Sequence, residues 1–77
     1  MLELFKEAVL IVDIPEKGLQ KGDVGVVIEV YGDHEAYEVE FMTKHGRTIA
    51  VETLAPSQIR AIDNDDIWHV REYNKVA

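Results

Sequence analysis

Hydrophobic and polar residues alternate with a period of two along most of this chain. The clearest run is residues 24–31, VGVVIEVY, in which Val24, Val26, Ile28 and Val30 fall on one side. Turn-forming residues interrupt the alternation roughly every eight to ten residues, a spacing typical of small all-β domains. The pattern predicts five strands, at 8–14, 24–31, 36–42, 47–54 and 59–62.

The segments between the predicted strands fix the order of elements. Residues 15–23 form a long loop, because Pro15 is excluded from a central strand, and Leu19 is expected to anchor this loop to the core. Residues 55–58, APSQ, predict a 3-10 turn, since they are too few for an α-helix. The fold prediction is therefore all-β: a small five-stranded SH3-like barrel over residues 1–62, with a 3-10 turn before the last strand.

The short C-terminal tail, residues 63–77, fits two periods. Asp66 could cap a short helix with Val70 on its apolar side, or Trp68 and Val70 could belong to a short sixth strand. We favour extended structure packed on the barrel or on a partner.

Loop lengths predict the strand register. A four-residue loop, GDHE, pairs Glu29 with Glu38. A three-residue loop, KHG, with Gly46 in a G1 bulge, pairs Phe41 with Ile49 and Glu38 with Glu52. The predicted core contains inward-facing residues of all five strands: Val9, Ile11, Val26, Ile28, Val39, Phe41, Ile49, Val51 and Ile59.

This register places Glu29, Glu38 and Glu52 side by side on three strands, flanked by Glu40. Like charges directly opposite cost up to about 1 kcal/mol, so a sheet optimised only for stability would alternate signs. The column is either a solvated acidic surface or a docking surface for a basic partner. Trp68 is the best single candidate for a partner-binding anchor.

The net charge of the chain indicates which class of partner is favoured. The 77 residues carry fifteen acidic and eight basic side chains, for a net charge of −7. Because the basic residues are spread along the chain, the sequence argues against nucleic acid and anionic membranes and favours a basic protein partner. Association of the chain with itself stays open.

Location follows from the N-terminus and from cysteine usage. Glu3 and Glu7 stand where a signal peptide needs positive charge, and the apolar run 8–12 is too short to span a membrane. There is no cysteine, so disulfides are excluded. We expect a cytoplasmic protein.

The sequence offers no arrangement typical of catalysis. Ser57 is the one serine, and the three histidines have no spacing that brings two imidazoles together. The segment GLQKGDVG lacks the spacing and the following helix of a phosphate-binding loop. Adjacent carboxylates on a flat sheet lack the enclosing ligands that calcium needs. We predict no enzyme activity, no cofactor and no metal.

Four segments, DIPEKGLQKGDVGVVIEVY, AYEVEF, GRTIAVETL and PSQIR, together resemble the small bacterial proteins grouped as domain of unknown function family 4926. The resemblance covers roughly residues 9–62. It implies a compact SH3-like barrel and carries no known activity. More loosely, GDVGVVIEV is similar to the KOW motif of ribosomal proteins and transcription elongation factors, where a glycine turn and a strand lead into a small barrel.

Three function classes are open. The first is a protein-binding module, such as an antitoxin, an immunity protein or an accessory protein, that docks a basic partner. The second is a KOW-like contact with RNA or the ribosome, which the acidic outer face disfavours. The third is a structural subunit of a larger complex, which a core this small favours.

Overall fold

The computed structural model describes residues 2–73 of the chain. Its strands are β1 (Glu7–Leu10), β2 (Val24–Tyr31), β3 (Ala36–Met42), β4 (Thr48–Leu54) and β5 (Ile59–Ala61), with 3-10 turns at Pro15–Lys17 and Pro56–Gln58. All pairs are antiparallel, and the five strands form one sheet in the order β4-β3-β2-β1-β5. The predicted all-β fold and the 3-10 turn before the last strand are confirmed.

The sheet curves around one hydrophobic core. Leu54 of β4 and Ile59 of β5 stand on opposite edges of the sheet, yet both belong to the same buried cluster. A flat sheet would keep them four strand spacings, roughly 19 Å, apart. The curvature is that of a small barrel, and Leu19 closes it from the loop, as the sequence predicts.

Strand β1 is buried on both faces, because Ala8, Val9 and Leu10 are all nearly inaccessible. It pairs with β2 on one side and with β5 on the other. The strand ends four residues earlier than the pattern predicts. Ile11 therefore lies outside the sheet with 36% of its surface exposed, and its assignment to the core is wrong.

A β-bulge in β2 reverses the predicted faces of the residues that precede it, whereas Val30 packs against the core as predicted. Val27 pairs with Val39, but Glu29 pairs with Glu38, so Ile28 is an extra residue. Val27 is fully buried, whereas Val26 and Ile28 are only partly buried and face outward. The core assignments of Val26 and Ile28 are wrong for this reason.

The hairpin between β3 and β4 has the predicted turn followed by an unpredicted bulge. Gly46 has φ +89°, its N–H donates to the Thr43 carbonyl at 2.9 Å, and the Thr43 N–H donates to the Arg47 carbonyl at 2.8 Å, which is the G1 bulge geometry. Beyond it, Met42 pairs with Thr48 but Phe41 pairs with Ala50.

The extra residue in this second bulge is Ile49, which is partly buried against the core. All later pairs shift by one, so Val39 pairs with Glu52 and Glu38 with Thr53. Val51 faces outward with 44% exposure, and its assignment to the core is wrong.

The buried face of β3 agrees with the sequence pattern. Tyr37, Val39 and Phe41 are each at most 2% exposed, and Ile59 of β5 is also buried. Gly25 of β2 packs against this face so closely that an added Cβ would lie 2.6 Å from Val39 Cγ1. Only glycine therefore allows the two strands to approach as they do.

Residues 62–73 run across the barrel with neither helix nor strand, and residues 74–77 of the predicted tail lie outside the described residues. The division into residues 1–62 and 63–77 stays a prediction. Within residues 2–73, no helix is long and apolar enough to cross a bilayer.

Candidate functional site

The first four strands contain acidic residues and no basic ones. Strands β1 to β4 contain five glutamates and no lysine, arginine or histidine. Four of these glutamates point away from the core, and we call them the acidic face: Glu7, Glu29, Glu38 and Glu40. Four carboxylates therefore share the outer face of the sheet.

The pairing of strands explains why these side chains come together. Glu29 is directly opposite Glu38, as the loop length predicts, and Val26 joins Glu7 of β1 to Glu40 of β3 in the next row. Side chains of directly paired residues share a face. The two rows are adjacent, so the four carboxylates lie within a few strand spacings of each other.

Threonines of β4 hold two carboxylates of the acidic face in place. Thr53 Oγ1 donates to Glu38 Oε1 at 2.5 Å, and Thr48 Oγ1 donates to Glu40 Oε2 at 2.6 Å. Each bond occupies one carboxylate oxygen, and an ionised carboxylate has room for several further donors. The remaining capacity is available to a lysine or arginine of a partner.

Glu52 does not belong to the acidic face. The bulge at Ile49 pairs it with the buried Val39, so its side chain lies on the core side of the sheet. There Lys17 Nζ approaches Glu52 Oε2 at 3.8 Å. The predicted column of Glu29, Glu38 and Glu52 is therefore wrong in its third member, and Thr53 occupies that place.

Exposed apolar side chains accompany the acidic face. Tyr31, Met42 and Val51 are 43%, 39% and 44% exposed, and all three belong to β2, β3 and β4. Tyr31 follows Glu29 by two residues and so shares its face. This face of the sheet therefore combines negative charge with exposed apolar area.

Trp68 lies apart from the acidic face. It is 71% exposed and lines a groove of about 660 Å³ between the tail and the β3–β4 hairpin. We call this the tail groove. Its apolar walls come from the loop before β2, from β2, β3 and β4, and from the tail: Leu19, Val24, Phe41, Ile49, Trp68 and Val70. The structure therefore separates the one tryptophan from the predicted glutamates.

Arg71 fastens the tail to the barrel. Its guanidinium donates two hydrogen bonds to Asp23, at 2.8 and 2.6 Å, and a third to the Gly18 carbonyl at 2.8 Å. The bond to Asp23 raises the pKa of Arg71. Tyr73 lies over Gly18. Sequence reasoning missed this contact, because Asp23 and Arg71 are 48 positions apart and nothing in either segment marks them as partners.

A second ion pair shapes the start of the tail. Arg60 donates to both carboxylate oxygens of Asp66, at 2.8 and 2.7 Å, and the Asp63 N–H donates to the same carboxylate. The Arg60 bond, with help from the Asp63 amide, lowers the pKa of Asp66 to about 2. The pair turns the chain back over β5, and the negative charge of Asp66 is neutralised locally.

Histidine and carboxylate side chains were the candidates for a metal site. Across residues 2–73, no three histidine, aspartate or glutamate side chains are grouped closely enough to hold a metal ion. His34 is half-buried, and its Nδ1 lies 3.2 Å from the Tyr37 hydroxyl. This contact orients the side chains at the β2–β3 turn.

Comparison with known proteins gives one match. The family model described as "Domain of unknown function (DUF4926)" matches residues 4–61, which include all five strands. No curated protein and no solved structure matches the chain. The matched region ends before Trp68 and Arg71, so the barrel is the shared part and the tail is outside it. This chain belongs to the DUF4926 family.

Proposed function

We propose that this protein is a non-enzymatic binding module whose acidic face docks a basic protein. An antitoxin, an immunity protein or an accessory protein would use such a surface to hold a positively charged partner. The observation that carries the proposal is the composition of β1 to β4, with five glutamates and no basic residue. Four of those glutamates point outward on one face.

The sheet contains a like-charge contact that lowers the stability of the fold. Glu29 and Glu38 are directly opposite, and such a pair costs a few tenths of a kcal/mol up to about 1 kcal/mol. A basic partner removes this cost by supplying the missing positive charge. The same field accelerates encounter with a basic partner through electrostatic steering.

The lifetime of the complex rests on apolar contacts. Tyr31, Met42 and Val51 supply exposed apolar area beside the glutamates, and Trp68 supplies a separate anchor at the tail groove. Aromatic residues dominate binding energy at protein interfaces. A partner large enough to contact both regions uses the glutamates for approach and the aromatic side chains for retention.

A nucleic-acid partner fits the acidic face poorly. Phosphate backbones bind by counterion release to lysine and arginine. Arg60 and Arg71 are engaged with Asp66 and Asp23, and Lys17 approaches Glu52. Among the described residues, a KOW-like contact with RNA would have to use Lys6, Lys21, Lys44 and Arg47, which lie outside the strands.

Charge reversal on the acidic face tests the proposal. The protein is used to recover partners from its native cells by cross-linking, and the purified partner is mixed with Glu38→Lys/Glu40→Lys in stopped flow. The control, Glu3→Lys/Glu16→Lys, makes the same change in net charge at exposed sites off the acidic face. We expect the first variant to slow association at least tenfold and the control to slow it much less. Equal effects of the two variants would contradict a localised acidic site.

A further inference from the structure

We infer that the free edge of β4 binds an extended basic segment of the partner as an added strand. The inference rests on the proposed function and specifies how the partner is held. The sheet order leaves β4 with a neighbour on one side only, β3. Adding a strand to such an edge satisfies backbone groups that are otherwise left to water.

The backbone hydrogen bonds of the hairpin identify which groups of β4 are free. The Thr43 N–H bonds to the Arg47 carbonyl, and in an antiparallel pair alternate residues point toward the partner strand. Continuing the alternation past the bulge, Glu52 and Leu54 point toward β3. Val51 and Thr53 therefore point their N–H and C=O groups away from the sheet.

No hydrogen-bond partner within residues 2–73 satisfies these outward groups of Val51 and Thr53. Both residues are exposed. Natural proteins protect free edges with lysine, proline, very short strands, bulges or inward-pointing charges. Strand β4 has a bulge at Ile49 and the inward Glu52, but it has no lysine or proline, and neither feature covers the outward groups of Val51 and Thr53. The opposite edge, β5, has only three residues and carries Arg60, so β4 is the longer edge and the one without a basic side chain.

Charge selects a basic segment as the occupant. Glu38 and Glu40 lie on the strand next to β4, so a strand added at its free edge runs about 10 Å from them, comparable to the Debye length at physiological salt. On the core side, Glu52 already lies 3.8 Å from Lys17 Nζ. Lysine or arginine side chains on the outer face of the added strand therefore meet the carboxylates of Glu38 and Glu40.

A second copy of this chain is a poorer occupant for the same reason. Each copy carries a net charge of −7. Pairing two β4 edges brings Glu38, Glu40 and Glu52 of one copy toward those of the other, and like charges at such distances repel.

The test uses a blocked peptide that alternates lysine and valine, and the same peptide with all of its backbone amides N-methylated. N-methylation removes backbone donors and keeps the charge. We expect the first peptide to bind and the methylated one to bind at least fivefold more weakly, the effect of about one lost hydrogen bond. On binding, hydrogen exchange at the amides of Val51 and Thr53 should slow at least fivefold.

Two proline variants test the edge from the protein side. Val51→Pro and Thr53→Pro each remove an N–H that the described residues do not use internally, and edge strands tolerate proline at such positions. Because Thr53→Pro also removes the hydroxyl that bonds Glu38, its effect is compared with that of Thr53→Val. Val51→Ala is the control, because it keeps the N–H. Circular dichroism checks that each variant folds, and the methylated peptide gives an answer without altering the protein. We expect either proline variant to bind the lysine–valine peptide at least fivefold more weakly than the wild type. The alanine variant should change the affinity less than twofold.

Four results would contradict strand addition at β4. They also show whether the proposed acidic docking surface fails with it. Equal binding of the two peptides means attachment by charge alone, which leaves the acidic face as the site and removes strand addition. Absence of binding by the lysine–valine peptide also removes strand addition. A glutamate–valine peptide that binds as well as the lysine–valine peptide contradicts the basic partner itself. A wild-type dimer that Val51→Pro dissociates means that a second copy occupies the edge.

Discussion

Truncation of two neighbouring valines distinguishes the observed bulge in β2 from simple alternation. Val27→Ala removes two methylene equivalents from a fully buried site. At about 0.8 kcal/mol for each buried methylene, the lost transfer free energy is about 1.6 kcal/mol. A cavity of methyl size adds about 1 kcal/mol, so we expect a loss of about 2.5 kcal/mol in the free energy of unfolding.

The same substitution at Val26 should cost under about 1 kcal/mol, because this side chain faces outward and is only partly buried. Urea unfolding followed by far-ultraviolet circular dichroism measures both variants. Fluorescence is a poor alternative, since Trp68 is already 71% exposed in the folded state. The free energy of unfolding of a domain of this size is roughly 4–12 kcal/mol, so both variants should fold. If Val26→Ala were the more destabilising change, the bulge at Ile28 would be wrong.

Three further predictions follow from the packing and the ion pairs. Phe41→Ala should cost about 3–5 kcal/mol and Gly25→Ala about 1–3 kcal/mol in urea unfolding, since one leaves a cavity and the other overpacks the β2–β3 contact; a loss below about 0.5 kcal/mol in either would contradict the core. The folded-state pKa of Asp66 lies below its unfolded value, so the Arg60 bond stabilises the fold above about pH 4 and this contribution disappears as the pH falls through about 2. NMR titration of Arg60→Ala should return that pKa toward about 3.9, and an unchanged value would refute the assigned cause. Arg71→Ala should make the tail more sensitive to limited proteolysis, whereas equal cleavage rates would show that this arginine does not hold it.

Local signals were enough to predict much of the barrel. The alternation in β3 predicts its buried face, Tyr37, Val39 and Phe41, because the extra residues of both bulges lie in the neighbouring strands and not in β3. Loop length gives the Glu29–Glu38 pair, and the glycine in KHG gives the G1 bulge. Each of these features depends on residues close together in sequence.

The errors in register come from the two bulges. Both insert an isoleucine into a run of hydrophobic residues, so apolar side chains are available for either face and the alternation does not show the insertion. Because side chains alternate, one extra residue moves every later residue to the other face. This is how Val51 comes to face outward and Glu52 inward. The inward Glu52 is tolerated because β4 is an edge strand and Lys17 reaches it.

The predicted site was partly recoverable for the same reason. Glu29 and Glu38 depend only on the loop end of the first hairpin, where the register is predicted correctly, and Glu40 follows Glu38 by two residues on β3, so the structure places all three on one face. The position of Trp68 depends on the contact of Arg71 with Asp23, which joins distant segments and leaves no local pattern. Sequence reasoning therefore named Trp68 as an anchor but did not predict the tail groove that it lines.

The salt dependence of the association rate tests most directly whether the partner is a basic protein. The rate is compared between the wild type and a variant whose acidic face is reversed in charge. The partner recovered by cross-linking is mixed with the wild type and with Glu29→Lys/Glu38→Lys/Glu40→Lys over a range of ionic strength. The wild-type rate should fall steeply as salt rises, and the variant should associate slowly with little dependence on salt. Recovery of RNA or ribosomes, with binding that survives reversal of these three glutamates, would contradict the proposed function and support the KOW-like alternative.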